Sequence, residues 1–119
     1  MKEILYNGEA RDIYVYVDAR HVAQVVRFLE KCEDDIRKKA IRLIKFLGDR
    51  EEILNKRKLR KLKGVNNIYE LKVDAIRIVF CFVGKDAVLI YAMKKTKKSE
   101  FNEILKRLQK RAKEVCDEI

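Results

Sequence analysis

A change in the hydrophobic period near residue 68 constrains this chain more than any other feature of its sequence. Three apolar segments follow, at 68–73, 76–83 and 87–93, and only two or three residues join each to the next. The first segment alternates apolar and polar residues, as a half-buried strand does, whereas the second is apolar except for Arg77. Connections this short force neighbouring strands to run antiparallel. The sequence therefore predicts a three-strand antiparallel meander whose middle strand is covered on both faces.

The segments on either side of this meander have apolar residues at the helical spacing of i, i+3, i+4 and i+7. Asp18 is predicted to cap a first helix, Asp34 or Asp35 to open a second, and Gly48 to end that second helix. Ser99 is predicted to cap a last amphipathic helix. The three apolar stripes are Val22, Val25, Val26 and Leu29; Ile36, Ala40, Leu43, Ile44 and Leu47; and Phe101, Ile104, Leu105, Leu108, Ala112 and Val115.

An earlier pair of strands is predicted around Asn7-Gly8, with Ile4-Leu5-Tyr6 before this turn and the apolar segment 13–17 after it. The chain has 119 residues, no proline and no internal repeat, so we expect residues 1–119 to form a single domain. The element order predicts an α+β domain with an antiparallel sheet. We expect the two N-terminal helices to pack on one face of this sheet, and the C-terminal helix to cover the other face or leave it partly open.

Positive charge is concentrated in the middle of the chain. The formal net charge is +10, and residues 56–98 hold 13 Lys and Arg against three acids, whereas residues 1–55 and 99–119 are each balanced. Such a segment attracts polyanions, most often nucleic acid, because each neutralised phosphate releases counterions. A Lys-rich composition or an anionic partner protein remains an alternative. The two basic clusters are Lys56, Arg57, Lys58, Arg60, Lys61 and Lys63, and then Lys94, Lys95, Lys97 and Lys98.

Other features argue against a membrane, a disulfide framework or a metal site. No apolar run approaches the roughly 18 to 20 residues that span a bilayer, and the first residues do not resemble a signal peptide. We therefore expect a cytoplasmic protein with no membrane partner. Cys32, Cys81 and Cys116 lie far apart and in no C-x-x-C pair, so we expect three reduced, buried cysteines and no zinc site.

The one charge inside the apolar middle strand is Arg77. If the turn is Gly84-Lys85-Asp86, Val83 pairs with Ala87, Arg77 lies opposite Met93, and Tyr91 shares its face. A two-residue turn would reverse the side on which Tyr91 lies. Lys72, Arg77, Lys94 and Lys95 are expected near one end of the sheet. Either Arg77 pairs with Glu70 or Asp74 and the lysines are merely solvated, or these cations form a phosphate-binding site.

Four segments together resemble the RelE/ParE superfamily of bacterial and archaeal toxins, especially its HigB-like and phage Gp49-like branch. They are Lys61-Leu62-Lys63-Gly64, Ile68-Tyr69-Glu70-Leu71-Lys72, Arg77-Ile78-Val79-Phe80, and Lys94-Lys95-Thr96-Lys97-Lys98 before an amphipathic helix. The resemblance implies the toxin of a type II toxin-antitoxin pair, most often an endoribonuclease that cuts mRNA in the ribosomal A site. It also implies chemistry without a metal or another cofactor, in which the RNA 2′-hydroxyl attacks the adjacent phosphorus.

The resemblance implies a role for each matched residue. Lys72 corresponds to a lysine that serves as base or phosphate ligand, Arg77 to an arginine that stabilises the phosphate, and Lys95 to a second cation. Glu70 stands where RelE has a lysine, which makes it an alternative base, and Phe101 stands where RelE has a tyrosine. The residues expected to bind RNA are Arg57, Lys58, Arg60, Lys61, Lys63, Lys94, Lys97, Lys98 and Phe101.

Two other functions fit the same sequence. A ParE-like protein would have this fold and poison DNA gyrase through a protein contact, without nuclease activity. A non-catalytic RNA-binding or ribosome-associated module is the second alternative, and the phenyl ring of Phe101, which carries no proton to transfer, favours it. As a toxin, the chain should bind mRNA, the ribosome and a small acidic antitoxin, the last in a hetero-oligomer that masks the basic residues.

Overall fold

In a computed structural model, the described residues are 1–52, 59–62 and 67–116, without the side chain of Lys98. They form six strands and three helices, which confirms the predicted α+β class. None of the described helices is long and apolar enough to cross a bilayer. The elements are β1 (Lys2–Asn7), β2 (Asp12–Tyr16), α1 (Gln24–Glu30), α2 (Asp34–Asp49), β3 (Leu59–Lys61), β4 (Tyr69–Val73), β5 (Ile76–Val83), β6 (Asp86–Lys94) and α3 (Lys98–Cys116).

The strands form one sheet in the order β1-β2-β6-β5-β4-β3. The β1–β2 hairpin and the β4–β5–β6 meander are antiparallel, as predicted. However, β2 runs parallel to β6, with Ile13 opposite Ala87 and Val15 opposite Leu89, so the sheet is mostly antiparallel with one parallel pair that was not predicted. These two strands are joined by a long connection that includes α1 and α2, and a connection of that length permits parallel pairing.

Strand β3 was not predicted, because it lies inside the first basic cluster. Its three residues pair antiparallel with β4, Leu59 opposite Leu71 and Arg60 opposite Glu70. Only Leu59 is buried, whereas Arg60 and Lys61 are exposed. Three residues of which two are basic show too little alternation for a strand to be recognised from the sequence.

Helix α2 begins at Asp34 as predicted and ends at Asp49, one residue after Gly48. Helix α1 begins later than predicted. Asp18 does not cap α1; its carboxylate accepts hydrogen bonds from the backbone N–H groups of Arg20 (2.8 Å) and Val22 (3.0 Å). The Val22 hydrogen bond is the main reason that the pKa of Asp18 is lowered. His21, inside this turn, has a φ of 61°, which is outside the helical region. Asp18 therefore stabilises a turn, and the helix starts only at Gln24.

Helices cover both faces of the sheet. One buried cluster joins α1 and α2 to the sheet through residues such as Leu29, Leu43 and Phe80. The other joins α3 to the opposite face, where Leu108 is fully buried against residues that include Val79 and Ile90. The middle strands β5 and β6 are therefore apolar on both sides, which explains why their sequences lack alternation.

A bulge in β6 sets the register of the β5–β6 pair. Val83 pairs with Asp86 across a two-residue turn, so the predicted pairing of Val83 with Ala87 is wrong. The register shifts between Val79 and Phe80, opposite Ile90, and beyond this bulge Arg77 lies opposite Met93 as predicted. Tyr91 pairs with Val79 and shares the face of Arg77. The bulged strand is held by α3, because Arg111 Nη1 donates a hydrogen bond to the carbonyl oxygen of Ile90 (2.9 Å).

The expectation of three reduced cysteines is also wrong. Cys81 in β5 and Cys116 at the end of α3 form a disulfide, with their Cα atoms 6.5 Å apart, and Cys32 is free and half-buried. Cys81 and Cys116 belong to the same buried cluster. They are 35 residues apart in sequence, and only the packing of α3 on β5 brings them together.

Replacing Cys116 by serine should lower the free energy of unfolding of the oxidised protein by about 3 kcal/mol. The disulfide closes a loop of 35 residues, and its loss restores chain entropy to the unfolded state. Urea unfolding with and without dithiothreitol measures this effect: the reductant should destabilise the wild type but not Cys116→Ser. Cys32→Ser is the matched control and should keep the response to reductant. Equal stability of oxidised wild type and Cys116→Ser would contradict the prediction.

Candidate functional site

A hollow of about 560 Å³ lies between the end of the sheet and the first turns of α3. Five basic side chains and one carboxylate line it, together with two uncharged polar and four apolar residues. We name it the basic hollow. Its lining residues are Arg60, Lys61, Leu62, Glu70, Lys72, Arg77, Met93, Lys95, Thr96, Phe101, Asn102 and Leu105.

The β4–β5 pair places Lys72 and Arg77 side by side. These two residues are direct cross-strand partners, so both side chains point to the face that α3 covers. The side chain of Arg77 is only 13% exposed, and its Nη1 donates hydrogen bonds to the carbonyl oxygens of Asp74 (2.9 Å) and Ile76 (2.8 Å). These two hydrogen bonds fix the guanidinium at the β4–β5 turn, where it lines the basic hollow.

Glu70 is the buried anion of this site. Its side chain is 3% exposed, and Oε1 lies 2.7 Å from Arg60 Nη2 and 4.0 Å from Arg77 Nε. The contact with Arg60 lacks hydrogen-bond geometry, so Oε1 has no hydrogen-bond donor among the described residues. A carboxylate is costly to bury without cations beside it. Arg77 therefore pairs with Glu70 as predicted, in an ion pair of 4.0 Å. Its contact with Asp74 is a hydrogen bond to the backbone carbonyl of Asp74 and not to the carboxylate.

The segment after β6 forms the opposite wall. The backbone N–H of Lys95 donates a hydrogen bond to the carbonyl oxygen of Ala75 (2.7 Å), which ties Lys95 to the β4–β5 turn beside Arg77. Phe101 lies in the first turns of α3 and is half-buried against the α3 cluster, with its ring on the basic hollow. The hollow therefore presents clustered cations beside an aromatic ring, an arrangement suited to a phosphate and the base attached to it.

The structure brings together only part of the predicted set. Lys94 and Lys97 do not line the basic hollow; Lys94 pairs with Ile76, so its side chain points to the face of α1 and α2. Arg57, Lys58 and Lys63 lie outside the described residues, as does the side chain of Lys98. The predicted residues that do line the hollow are Lys72, Arg77, Lys95, Arg60, Lys61 and Phe101.

Two polar residues of the site, Thr96 and Asn102, were not predicted from the sequence. Each directly follows a residue that was predicted, Lys95 and Phe101, but a single polar residue in a charged segment carries no signal of its own. Among the described residues, no cluster of three or more His, Cys, Asp or Glu side chains is arranged to hold a metal ion.

A family model and solved structures are similar to this chain. A family model described as "Phage derived protein Gp49-like" matches residues 27–114. A chain in the crystal structure of the RelB-RelE antitoxin-toxin complex from Methanococcus jannaschii is similar in fold, with a TM-score of 0.53 and 22% sequence identity. That similarity covers 66% of this chain and 89% of the other. No curated protein matches the sequence.

Replacing Glu70 by glutamine should lower the free energy of unfolding by about 1 to 3 kcal/mol. The amide cannot balance the charge of Arg77, which is itself mostly buried. Arg60→Ala should cost less than Glu70→Gln, because the side chain of Arg60 is 57% exposed and Arg77 remains beside the carboxylate. Chemical denaturation of both variants measures the difference. A cost for Arg60→Ala that equals or exceeds the cost for Glu70→Gln would contradict this account of the buried anion.

Proposed function

The chain belongs to the Gp49-like family of phage-derived proteins, and we propose that it is the toxin of a type II toxin-antitoxin pair. We infer further that it is a ribosome-dependent endoribonuclease that cuts mRNA without a metal ion and so stops translation in the cytoplasm. The observation that carries this proposal is the basic hollow, in which Lys72, Arg77 and Lys95 meet at one end of the sheet. The Gp49-like match confirms that part of the resemblance inferred from the sequence, and the similarity to the RelB-RelE structure supports a RelE-like fold.

The proposed reaction transfers a phosphoryl group within the RNA. The 2′-hydroxyl loses its proton to a base and attacks the adjacent phosphorus, the bond to the 5′ oxygen breaks, and that oxygen takes up a proton. Negative charge grows on the phosphate oxygens in the transition state, where Arg77 and Lys95 would stabilise it. Lys72 and Glu70 are the two candidate bases, since both line the basic hollow.

The side chain of Phe101 bears on the choice between the three candidate functions. A phenyl ring can stack on a base but cannot transfer a proton, so Phe101 favours RNA binding and leaves acid-base chemistry to other residues. If none of them performs it, the protein is an RNA-binding or ribosome-associated module. A gyrase poison would instead use this surface for a protein contact. These three functions differ in what happens to mRNA and DNA in cells.

An acidic antitoxin is the proposed protein partner. The RelE-like chain of similar fold was crystallised with an antitoxin, and a free toxin would arrest its own host. Five basic side chains around one hollow would attract acidic residues of such a partner. We therefore propose a toxin-antitoxin hetero-oligomer in which the antitoxin masks the basic hollow.

Induced expression of the wild type should arrest growth and produce mRNA cuts at codon-phased positions. Arg77→Ala should reduce cutting by about 100-fold or more, because the transition state loses a fixed cation. Primer extension maps the ends of the cut mRNA. Alanine variants of Lys72 and Lys95, tested in parallel, show how much each lysine contributes to cutting. Lys85→Ala is the matched control: Lys85 is exposed at the β5–β6 turn, away from the hollow, and its loss should leave cutting unchanged.

Two other outcomes would overturn the nuclease. Arrested growth with intact mRNA and broken DNA would select the gyrase poison. Intact mRNA with normal growth would select the binding module. Cutting that is unchanged when Lys72, Arg77 and Lys95 are all replaced by alanine would refute the proposed site.

Co-expression with the product of the neighbouring reading frame should restore growth. The two proteins should elute as one complex, because the acidic partner neutralises the basic hollow, and the complex should weaken as salt is raised. Size-exclusion chromatography at low and high salt measures this. The Arg60→Glu variant should bind the partner less well than Lys85→Glu, which has the same change of charge at the opposite end of the sheet. Equal binding of the two would count against masking of the hollow.

A further inference from the structure

A second hollow, of about 330 Å³, lies on the other side of β4, between that strand and α2. We name it the α2 groove. It shares one residue, Lys72, with the basic hollow, so the two hollows meet at β4. Its lining residues are Lys39, Arg42, Leu43, Phe46, Lys72, Val73 and Asp74.

One stripe of α2 forms a wall of this groove. Lys39, Arg42 and Phe46 recur at i, i+3 and i+7, so they lie along one side of the helix, and all three are exposed. Phe46 is 38% exposed and is the one aromatic residue among the large apolar residues that are exposed in the described part of the chain. The stripe therefore combines two cations with a partly exposed aromatic ring, and Arg50 extends its guanidinium over that ring, with Cζ 4.8 Å from the ring centroid.

The charge balance of the α2 groove is positive. Two cations of α2, Lys39 and Arg42, line it, and the one carboxylate that lines it, Asp74, accepts a hydrogen bond from Lys39 Nζ (2.9 Å). This hydrogen bond to Asp74 is the main reason that the pKa of Lys39 is raised above its ordinary value. Arg42 supplies a planar guanidinium, whose N–H groups match the geometry of a phosphate.

We propose that the α2 groove is a second RNA-binding site, which holds nucleotides that flank the phosphate bound in the basic hollow. Lys39 and Arg42 would neutralise phosphates of a single strand, and Phe46 would stack on one base. This inference rests on the proposed RNA substrate. Continuity through Lys72 favours RNA over an acidic protein segment, because one strand can contact both hollows without a break.

Binding of RNA of two lengths tests this assignment. The probes are fluorescein-labelled single strands with 2′-O-methyl groups, which cannot be cut, of about 4 and about 12 nucleotides. The variant Lys39→Ala/Arg42→Ala should bind the longer strand about tenfold more weakly at about 0.1 M salt. Its plot of log affinity against log salt should lose about 1.4 from its slope, about 0.7 for each phosphate contact. Affinity for the shorter strand should not change.

A matched pair of variants distinguishes the effect of position in the groove from the effect of total charge. Lys38→Ala/Lys45→Ala removes the same charge from exposed positions of the same helix that do not line the groove, and it should bind both strands like the wild type. Phe46→Ala should weaken binding of the longer strand by about tenfold, and Phe46→Trp, which keeps a ring, should restore it. Asp74→Asn should tighten binding; asparagine tolerates the φ of 51° at this position.

Several results would overturn the inference. One is an equal loss of RNA affinity in the Lys39→Ala/Arg42→Ala and Lys38→Ala/Lys45→Ala variants, and another is an equal loss of affinity for the short and the long RNA. A third is unchanged RNA binding together with weaker binding of the antitoxin, which would make the groove a protein contact. The proposed nuclease is judged separately, by mRNA cutting in cells. If RNA binding depends on length as predicted but no mRNA is cut, the α2 groove is retained as an RNA-binding site and the nuclease is refuted. If mRNA is cut but these variants do not change RNA binding, the nuclease is retained and the α2 groove is refuted.

Discussion

The site depends on the bulge at Ile90. On the Asp86 side of the bulge, β6 pairs with β5 in the register that the two-residue turn sets; beyond it, every residue of β6 is moved by one position. Because side chains alternate along a strand, this shift decides which residues of β6 share the face of Arg77. Met93 joins Arg77 there, and Lys94 points to the other face. One extra residue, Ile90, four positions before Lys94 and five before Lys95, therefore decides which of these adjacent lysines is a site residue.

The covering of the sheet by helices explains where a site can form. Both faces of β5 and β6 are buried, so functional side chains are confined to the ends of strands, where α3 begins and the β4–β5 turn emerges. At that end, like charges would repel one another if no anion were present. Glu70, buried between Arg60 and Arg77, supplies that anion and holds the two guanidinium groups near the hollow. A carboxylate in a basic site is thus a structural requirement as well as a candidate base.

Local patterns predicted most of the elements, whereas long-range pairing could not be predicted. The stripes of α2 and α3 and the meander are visible because each depends on residues close in sequence. The parallel pairing of β2 with β6 and the Cys81–Cys116 disulfide depend on packing between distant segments, so no local pattern records them. For the site, Arg77 opposite Met93 was correct for the wrong reason: the predicted turn is one residue too long, and the bulge compensates.

Segment totals also hide where charge lies in the fold. Residues 1–55 are balanced in sum, and on that ground they contribute nothing to an electropositive surface. Yet α2 sets Lys39 and Arg42 on one stripe beside β4, where they face a groove that contains a single acid, Asp74. Asp35, one turn before Lys39 on α2, offsets part of this charge, whereas acids farther than about 8 Å away are largely screened at the ionic strength of cells. The positive surface of this fold is therefore set by helix periodicity as much as by the basic segment in the middle of the chain.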